Sequence, residues 1–356
     1  MLPVEPPLCH RRTLRTAADL ITAGLVRPSP ELDRVIAASV VAVPPALAAL
    51  IDPADPADPI ARQFVPAADE AYSAPEERAD PIGDEAFSPL KGLVHRYPDR
   101  VLLKPILVCP VYCRFCFRRE AVGDADATLA PADLEAAFAY IAARPQIREI
   151  IVTGGDPLML NPARLTDLVA RAAALPQVEV LRFHTRVPVA DPDRVTADLV
   201  AALKGVAGGP AVWVSVHVNH PRELSARCAA ALARLADAGL PLLSQSVLLR
   251  GVNDDAATLE ALFRALIRHR VRPYYLHHPD LARGTSHFRP SLAEGQALMR
   301  ALRGRLSGIA QPTYVLDIPG GAGKVPVGPD WLEEGGVSDP WGGVHAYPVA
   351  FPDPTC

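Results

Sequence analysis

The chain has 356 residues, 49% of them apolar, which is enough to bury one large domain or two ordinary ones. Its net charge of −4 gives no reason to expect a nucleic-acid partner, and no basic block marks a membrane surface. The opening MLPVEPPLCHRR lacks an apolar stretch ahead of a cleavage site, so no secretory signal is expected. The longest apolar run, Val35–Ile51, contains Pro44 and Pro45 and is shorter than the roughly 20 residues of a membrane-spanning helix. It reads as two buried core segments of a cytoplasmic protein.

Residues 1–95 are rich in Pro, Ala and Asp. Short helical patches such as Pro30–Ala38 sit between breakers such as IDPADPADPI, which predicts an N-terminal helical region with a flexible acidic stretch around Tyr72–Asp84. From residue 96 onward the pattern changes. Strands are expected at Val101–Val108, Glu149–Thr153, Val178–His184, Val212–Val218, Leu242–Leu249 and Arg272–Leu276. Amphipathic helices are expected between and after them, at Ala132–Ala143, Pro162–Ala174, Asp193–Lys204, Pro221–Ala238, Asp255–His269 and Leu292–Arg303. Six strand-then-helix repeats over residues 96–310 argue an α/β fold built on a parallel sheet with right-handed crossovers. Its chemistry belongs at the C-terminal ends of the strands. Lys104 and Pro105 interrupt the first strand and predict a bulge or an edge position. Residues 311–356 hold a seventh strand, Thr313–Ile318, then a glycine-rich loop and a short Pro/Gly-rich tail. No solenoid-type repeat is present.

The six cysteines are Cys9, Cys109, Cys113, Cys116, Cys228 and Cys356. Three of them form C-x3-C-x2-C directly after the first barrel strand. In a chain this long, clustered cysteines point to a metal or to catalysis rather than to disulfides. Thiolates hold both iron–sulfur clusters and zinc. A structural zinc site is usually closed by four ligands, and here a distant residue such as Cys228 would have to complete it. Three thiolates on a four-iron cluster instead leave one iron open to a chelating ligand, and this is the favoured reading.

The spacing, with Phe115 before the last cysteine, resembles the signature of the radical S-adenosylmethionine (SAM) superfamily. The resemblance implies a partial (βα)6 barrel, and a [4Fe–4S] cluster on Cys109, Cys113 and Cys116 whose open iron binds SAM and cleaves it to a 5′-deoxyadenosyl radical. After the second strand, TGGDPL carries Gly154, Gly155 and Asp156. The glycines allow close backbone approach and the carboxylate can accept from an ammonium, although the string alone is also a turn signal. In this context it resembles the site for the SAM amino group.

LDIPGGAGKVPV carries Lys324 on a glycine-rich loop. A phosphate loop of the form G-x4-G-K-[ST] fails at Ile318 and Val325. A lysine in such a loop also suits a Schiff base with pyridoxal phosphate, the bland alternative being an exposed loop lysine. Together with the cysteine cluster, this string resembles the lysine 2,3-aminomutase family. DPADPADPIARQ, GLVHRYPDRVLL, CRFCFRR, HVNHPREL, QSVLLRGVND and RPYYL extend the resemblance over most of the chain.

The resemblance implies pyridoxal phosphate joined to Lys324 and held by Arg96, Tyr97 and Arg100, with His217 and Gln245 contacting SAM. A satisfied core histidine is the plainer reading of His217, and Asn219 and His220 take no role. The resemblance also implies a substrate carboxylate on Arg118 and an ε-ammonium between Asp280 and Asp317. Taken singly, Asp280 could cap a helix before LARG, and Asp317 could be a turn residue before Pro319. The implied reaction moves the amino group of L-lysine from carbon 2 to carbon 3 through an adenosyl radical and a pyridoxal aldimine, with an external electron donor for the cluster. The tail lacks the cysteines that bind zinc in the clostridial type, and Asp255 stands where a further one is expected. No structural zinc is predicted, and a homo-oligomer is left open. Two competing readings remain at this point. One is the related branch that makes β-lysine for elongation factor P. The other is a non-catalytic metal-binding scaffold.

Overall fold

The computed structural model describes residues 12–123, 128–334 and 336–347; Cys9 and Cys356 lie outside them. Nine strands form one sheet in chain order: β1 (Leu93–Tyr97), β2 (Arg100–Ile106), β3 (Glu149–Gly154), β4 (Val180–Thr185), β5 (Ala211–His217), β6 (Leu242–Val247), β7 (Val271–His277), β8 (Thr313–Ile318) and β9 (Gly323–Pro326). Pairing is parallel from β2 through β8, while β1 and β9 add antiparallel to the two ends. The sheet curls into a nearly closed barrel, in agreement with the partial (βα)6 barrel that the family resemblance implies; the repeat pattern by itself called for a parallel sheet.

The N-terminal region contributes α1 (Ala17–Thr22), α2 (Pro30–Ala38), α3 (Pro45–Ala48) and α4 (Pro59–Phe64). Around the barrel lie α5 (Pro131–Ala142), α6 (Pro162–Ala173), α7 (Val187–Ala190), α8 (Ala197–Leu203), α9 (Ala226–Asp237), α10 (Ala256–Arg268) and α11 (Leu292–Arg303). Their registers follow from buried residues at i, i+3, i+4 and i+7: Leu165, Leu168, Val169 and Ala172 in α6, and Leu259, Leu262, Phe263 and Leu266 in α10. Caps set the starts. The Asn161 side chain accepts from Arg164 N, and that of Asp255 accepts from Thr258 N. Asp255 is thus accounted for as a helix cap.

Two helices begin later than their periodicity suggested. Thr196 caps α8 and Ser225 caps α9, while Pro192–Arg194 and Pro221–Glu223 form separate 3-10 turns. The strands β1 and β9 were not anticipated. β1 covers the outer edge of β2, so Pro105 is not on an edge. The bulge expected there is present, with Leu103 opposite Val152 but Ile106 opposite Gly154. A short hairpin sheet, β10 (Leu332–Glu333), β11 (Gly336–Ser338) and β12 (Val344–Ala346), follows the barrel. Among the described residues, no helix is long and apolar enough to cross a membrane.

One apolar core joins the N-terminal helices to the barrel. Leu20, Leu47, Ile60 and Phe64 belong to the same buried cluster as Ile150, Phe183, Val214 and Leu276. Val41, Val43, Leu47 and Ile51 are buried in the segment predicted to fill the core.

The acidic stretch expected to be flexible is anchored by its own carboxylates. Glu77 accepts from Gly284 N and from Arg289, and Asp84 accepts from Arg96 and Arg118. Farther along this strap, Gly83 adopts φ +69°, and a Cβ there would stand 2.6 Å from the carbonyl carbon of Gly320. Gly24 has nearly the same φ, +70°, with nothing within 4 Å. Replacing Gly24 with Ala should therefore cost only the backbone strain, about 1 kcal/mol. Gly83→Ala should cost about 2–4 kcal/mol, because strain and overpacking add. Denaturant melts of the two variants check the difference; equal losses would mean that the strap does not bear on the lysine loop.

Candidate active site

Inward-facing residues alternate along each strand with period two, so successive strands line one interior: Ile151 and Thr153, Arg182 and His184, Ser215 and His217, Gln245 and Val247. They enclose a cavity of about 550 Å³, within the usual range for small-molecule sites. Each residue to which the sequence reading gave a cluster, cofactor or substrate role lines this one cavity. Cys109, Cys113, Cys116 and Arg118 come from the loop after β2, and Gly154, Gly155 and Asp156 from the end of β3. His217 ends β5 and is paired with Gln245 in β6, Arg96, Tyr97 and Arg100 come from β1 and β2, and Asp280, Asp317 and Lys324 from the far side of the sheet.

The β8–β9 hairpin explains the lysine loop. Gly320, Gly321 and Gly323 have φ of +79°, +86° and +112°, which lets the chain reverse tightly. The register then sets Asp317 directly opposite Lys324. Lys324 Nζ donates to Asp317 Oδ2, and His277 Nδ1 lies 3.2 Å from the same nitrogen. The backbone N–H of Lys324 donates to Tyr97 Oη at 2.7 Å. Asp317 is therefore a strand residue in an ion pair, and not a turn residue. Burial pushes its carboxyl up, but the His277 hydrogen bond and the Lys324 charge prevail and hold it at about 2.

Asp280 is the reverse case. No helix follows it, so it caps nothing, and its Oδ1 is buried without a partner among the described residues. Burial and the nearby Asp317 charge push it up to about 7. His184 Nε2, Ser215 Oγ and His277 Nε2 are likewise buried and unpartnered on the same lining. Buried polar atoms without partners are costly, and a polar ligand in the cavity would satisfy them.

Arg118 donates to Asp84 Oδ2 through Nε at 3.1 Å and Nη2 at 2.8 Å. Asp84 also accepts from Arg96 Nη2 at 3.2 Å and stands 4.0 Å from Lys104 Nζ. Burial raises this carboxyl, yet Arg118, Lys104 and Arg96 together bring it below its ordinary value. Sequence reasoning missed Asp84 because it lies in a Pro/Asp-rich stretch without periodicity. It also missed His277, although the strand-end HH after RPYYL was a signal. Tyr274 and Tyr275 both face the cavity because a bulge follows Pro273: Ser244 pairs with Pro273, but Gln245 pairs with Tyr275. Their hydroxyls are 2.9 Å apart, and below them Arg182 is paired with Glu149 at 2.9 Å.

Asp156 accepts from Thr185 Oγ1 and Leu158 N on one oxygen and from Arg186 N and Val187 N on the other, at 2.7–3.1 Å. These four donors use a carboxylate's ordinary capacity. Asp156 thus ties the loop after β3 to the end of β4, and an incoming ammonium would compete with that tie. His217 Nε2 lies 3.2 Å from Asn219 Oδ1, and burial keeps the ring well below its ordinary value, hence neutral.

The cysteines suit a cluster better than a single ion. Among the described residues, no three His, Cys, Asp or Glu side chains converge closely enough to hold one metal ion. Cys228 is fully buried on α9, away from the cavity, so it does not complete a zinc site. Burial pushes all three clustered thiols up, Cys116 to about 11. They would hold their protons until iron displaces them.

Residues 103–262 match the family described as the radical SAM superfamily, and residues 299–336 match the one described as lysine-2,3-aminomutase. The L-lysine 2,3-aminomutase of Acetoanaerobium sticklandii is 42% identical over 291 residues, covering 82% of this chain and 70% of that protein. That of Clostridium subterminale is 42% identical over 291 residues, covering 82% and 69%. A glutamate 2,3-aminomutase of Clostridioides difficile is 36% identical over 296 residues, covering 83% and 69%. Likeness of this depth across four-fifths of the chain, on a barrel that gathers the cysteines and the lysine into one cavity, makes this chain an isomerase of the lysine 2,3-aminomutase family of radical SAM enzymes.

Proposed function

We propose that the enzyme acts on L-lysine, exchanging the amino group at carbon 2 with a hydrogen at carbon 3 to give β-lysine. The observation that carries the reading is the acidic pair, Asp280 and Asp317, lining the same cavity as Lys324 and Arg118. Two carboxylates brought together in a buried site favour a cation between them, and lysine brings one on its ε-amine.

Three groups serve the reaction. Cys109, Cys113 and Cys116 would hold the [4Fe–4S] cluster, and the backbone of Gly154 and Gly155, with His217 and Gln245, would hold SAM. Lys324, Tyr97, Arg96 and Arg100 would hold pyridoxal phosphate. When bound, the cluster and SAM supply a carbon-centred radical, and pyridoxal phosphate supplies a π-system able to spread an unpaired electron. The chain's own residues bind, orient and shield. Arg118 offers its remaining guanidinium donors to a carboxylate while Asp84 fixes its plane. His277 Nδ1 stands 3.2 Å from Lys324 Nζ, and its ring is kept below its ordinary value by burial and by the Lys324 charge. The enclosed barrel limits access of water to reactive carbon. An external one-electron donor is required for the cluster.

Anaerobic reconstitution with iron, sulfide and pyridoxal phosphate, followed by SAM, a strong reductant and L-lysine, tests the reading. β-Lysine is expected by mass spectrometry after derivatisation. Cleavage of SAM without β-lysine, together with turnover of L-glutamate, would overturn the substrate. Asp317→Asn should leave iron content intact but lower kcat/KM for lysine about 100-fold at saturating pyridoxal phosphate, since breaking a buried charge pair costs a few kcal/mol. An unchanged kcat/KM would remove Asp317 from the substrate site.

The Asp280 carboxyl, at about 7, makes binding pH-dependent. Below that value the pocket holds the neutral acid, and above it the carboxylate that attracts an ammonium. The ε-ammonium itself persists to about pH 10. The KM for lysine should therefore fall about tenfold between pH 6 and 8 and then level off. Asp280→Asn should show a higher KM with no such slope, and a variant that kept the slope would assign it to another group.

A further inference from the structure

One sulfur of the cysteine loop has a charged neighbour to which the binding of substrate and cofactors gives no part. Arg186 follows β4 and is only 5% exposed. Its Nη1 donates to Cys113 Sγ at 3.0 Å. The other arm, Nη2, donates to Glu223 Oε2 at 2.7 Å and Gln63 Oε1 at 2.8 Å, and the Phe64 ring lies 4.5 Å from the guanidinium carbon.

Those partners are themselves fixed. Glu223, Gln63 and Asn219 have no solvent exposure. Glu223 Oε1 accepts from Gln63 Nε2, Asn219 N and His220 N at 2.9–3.0 Å, and Asn219 Nδ2 donates to Gln63 Oε1 at 3.0 Å. The cation is therefore gripped from α4 on one side and from the loop after β5 on the other. The backbone N–H of the same residue donates to Asp156. One position thus orients both the loop after β3 and a cysteine sulfur.

A buried ion pair is weak evidence for stability, since well-packed apolar residues often do as well. What this pair adds is a donor and a positive charge held against a sulfur. Hydrogen bonds to sulfur, local charge and solvent exposure set the potential of an iron–sulfur cluster. A cation beside the ligand favours the state with the extra electron. Glu223, on the far arm, tempers that effect.

We propose that Arg186 is a positioning residue for the cluster: its Nη1–H fixes the Cys113 thiolate and raises the potential at which the cluster accepts its electron, with Glu223 setting the strength. This rests on the reading that Cys109, Cys113 and Cys116 hold a [4Fe–4S] cluster, which the iron and sulfide content of the wild-type chain tests separately. The experiment takes the full chain, reconstituted anaerobically with iron and sulfide, through a redox titration followed by visible absorbance and by EPR of the reduced cluster. R186Q/E223Q removes both charges and leaves neither one buried alone. At a fixed solution potential, its ratio of reduced to oxidised cluster should fall about tenfold, which is about 59 mV for a one-electron couple. E223Q keeps the cation and should shift the ratio the other way. R186K keeps a charge but cannot fork to sulfur, carboxylate and amide at once, and should fall between wild type and the double variant. Where the double variant fails to load, E223Q and R186K decide. Equal midpoints in wild type, E223Q and R186K at equal iron content overturn the proposal. A wild-type chain that takes up no cluster removes its foundation.

Discussion

Charges inside the barrel are cut off from bulk water, and each must find its partner within the fold or in a ligand. Most of them do. Asp84 gathers Arg96, Arg118 and Lys104; Glu149 meets Arg182; Glu223 meets Arg186; and Asp317 meets Lys324. The pairs made by Asp84, Glu149 and Glu223 join separate elements, so the pairing also fixes how the strap and the barrel lie on one another. Losing one member would leave a buried charge alone, which costs far more than the pair contributes. Asp156 and Asp280 on this lining have no such cation among the described residues; Asp156 is satisfied by four neutral donors, whereas Asp280 Oδ1 has no partner and burial pushes its carboxyl up to about 7.

That balance gives the cavity its chemical character. An interior dominated by compensated pairs is close to neutral overall while remaining strongly structured, and an incoming zwitterion meets donors and acceptors already oriented. On the proposed reading, the acidic pair would favour a substrate with a distal ammonium over one with a distal carboxylate, which it would repel. The glutamate enzyme of the same family is 36% identical to this chain, so the barrel itself does not decide between the two. Specificity of this kind resides in a few side chains at strand ends.

Much of this was legible in the sequence, for identifiable reasons. The parallel strands are buried on both faces and their helices on one, so hydrophobic period located both kinds of element. The cysteine spacing and the glycine-rich loop are constrained by ligand geometry and backbone conformation, which leave marks on residue type. What escaped notice was what tertiary structure alone creates. β9 has four residues, one a Gly and one a Pro, and becomes a strand only because β8 offers an edge. Asp84 and Arg186 look like ordinary surface charges until the chain folds them inward. Tyr274 faces the cavity beside Tyr275 because a bulge breaks the alternation that a sequence reading assumes. The acidic stretch was expected to be loose because its composition is polar, and it is instead held by the arginines and backbone donors it meets.

The hairpin that carries Lys324 has a mechanical implication. Asp317 and Lys324 are cross-strand neighbours, joined at a fixed register through a turn of three glycines. A slip of one residue would turn both side chains to the opposite face together. The lysine expected to anchor the cofactor and the carboxylate expected to read the substrate are therefore geared to one another. A change of substrate preference in this lineage can come cheaply at Asp280, which stands on a separate loop. At Asp317 it would disturb the seat of the lysine as well, so the two carboxylates are open to unequal rates of evolutionary change.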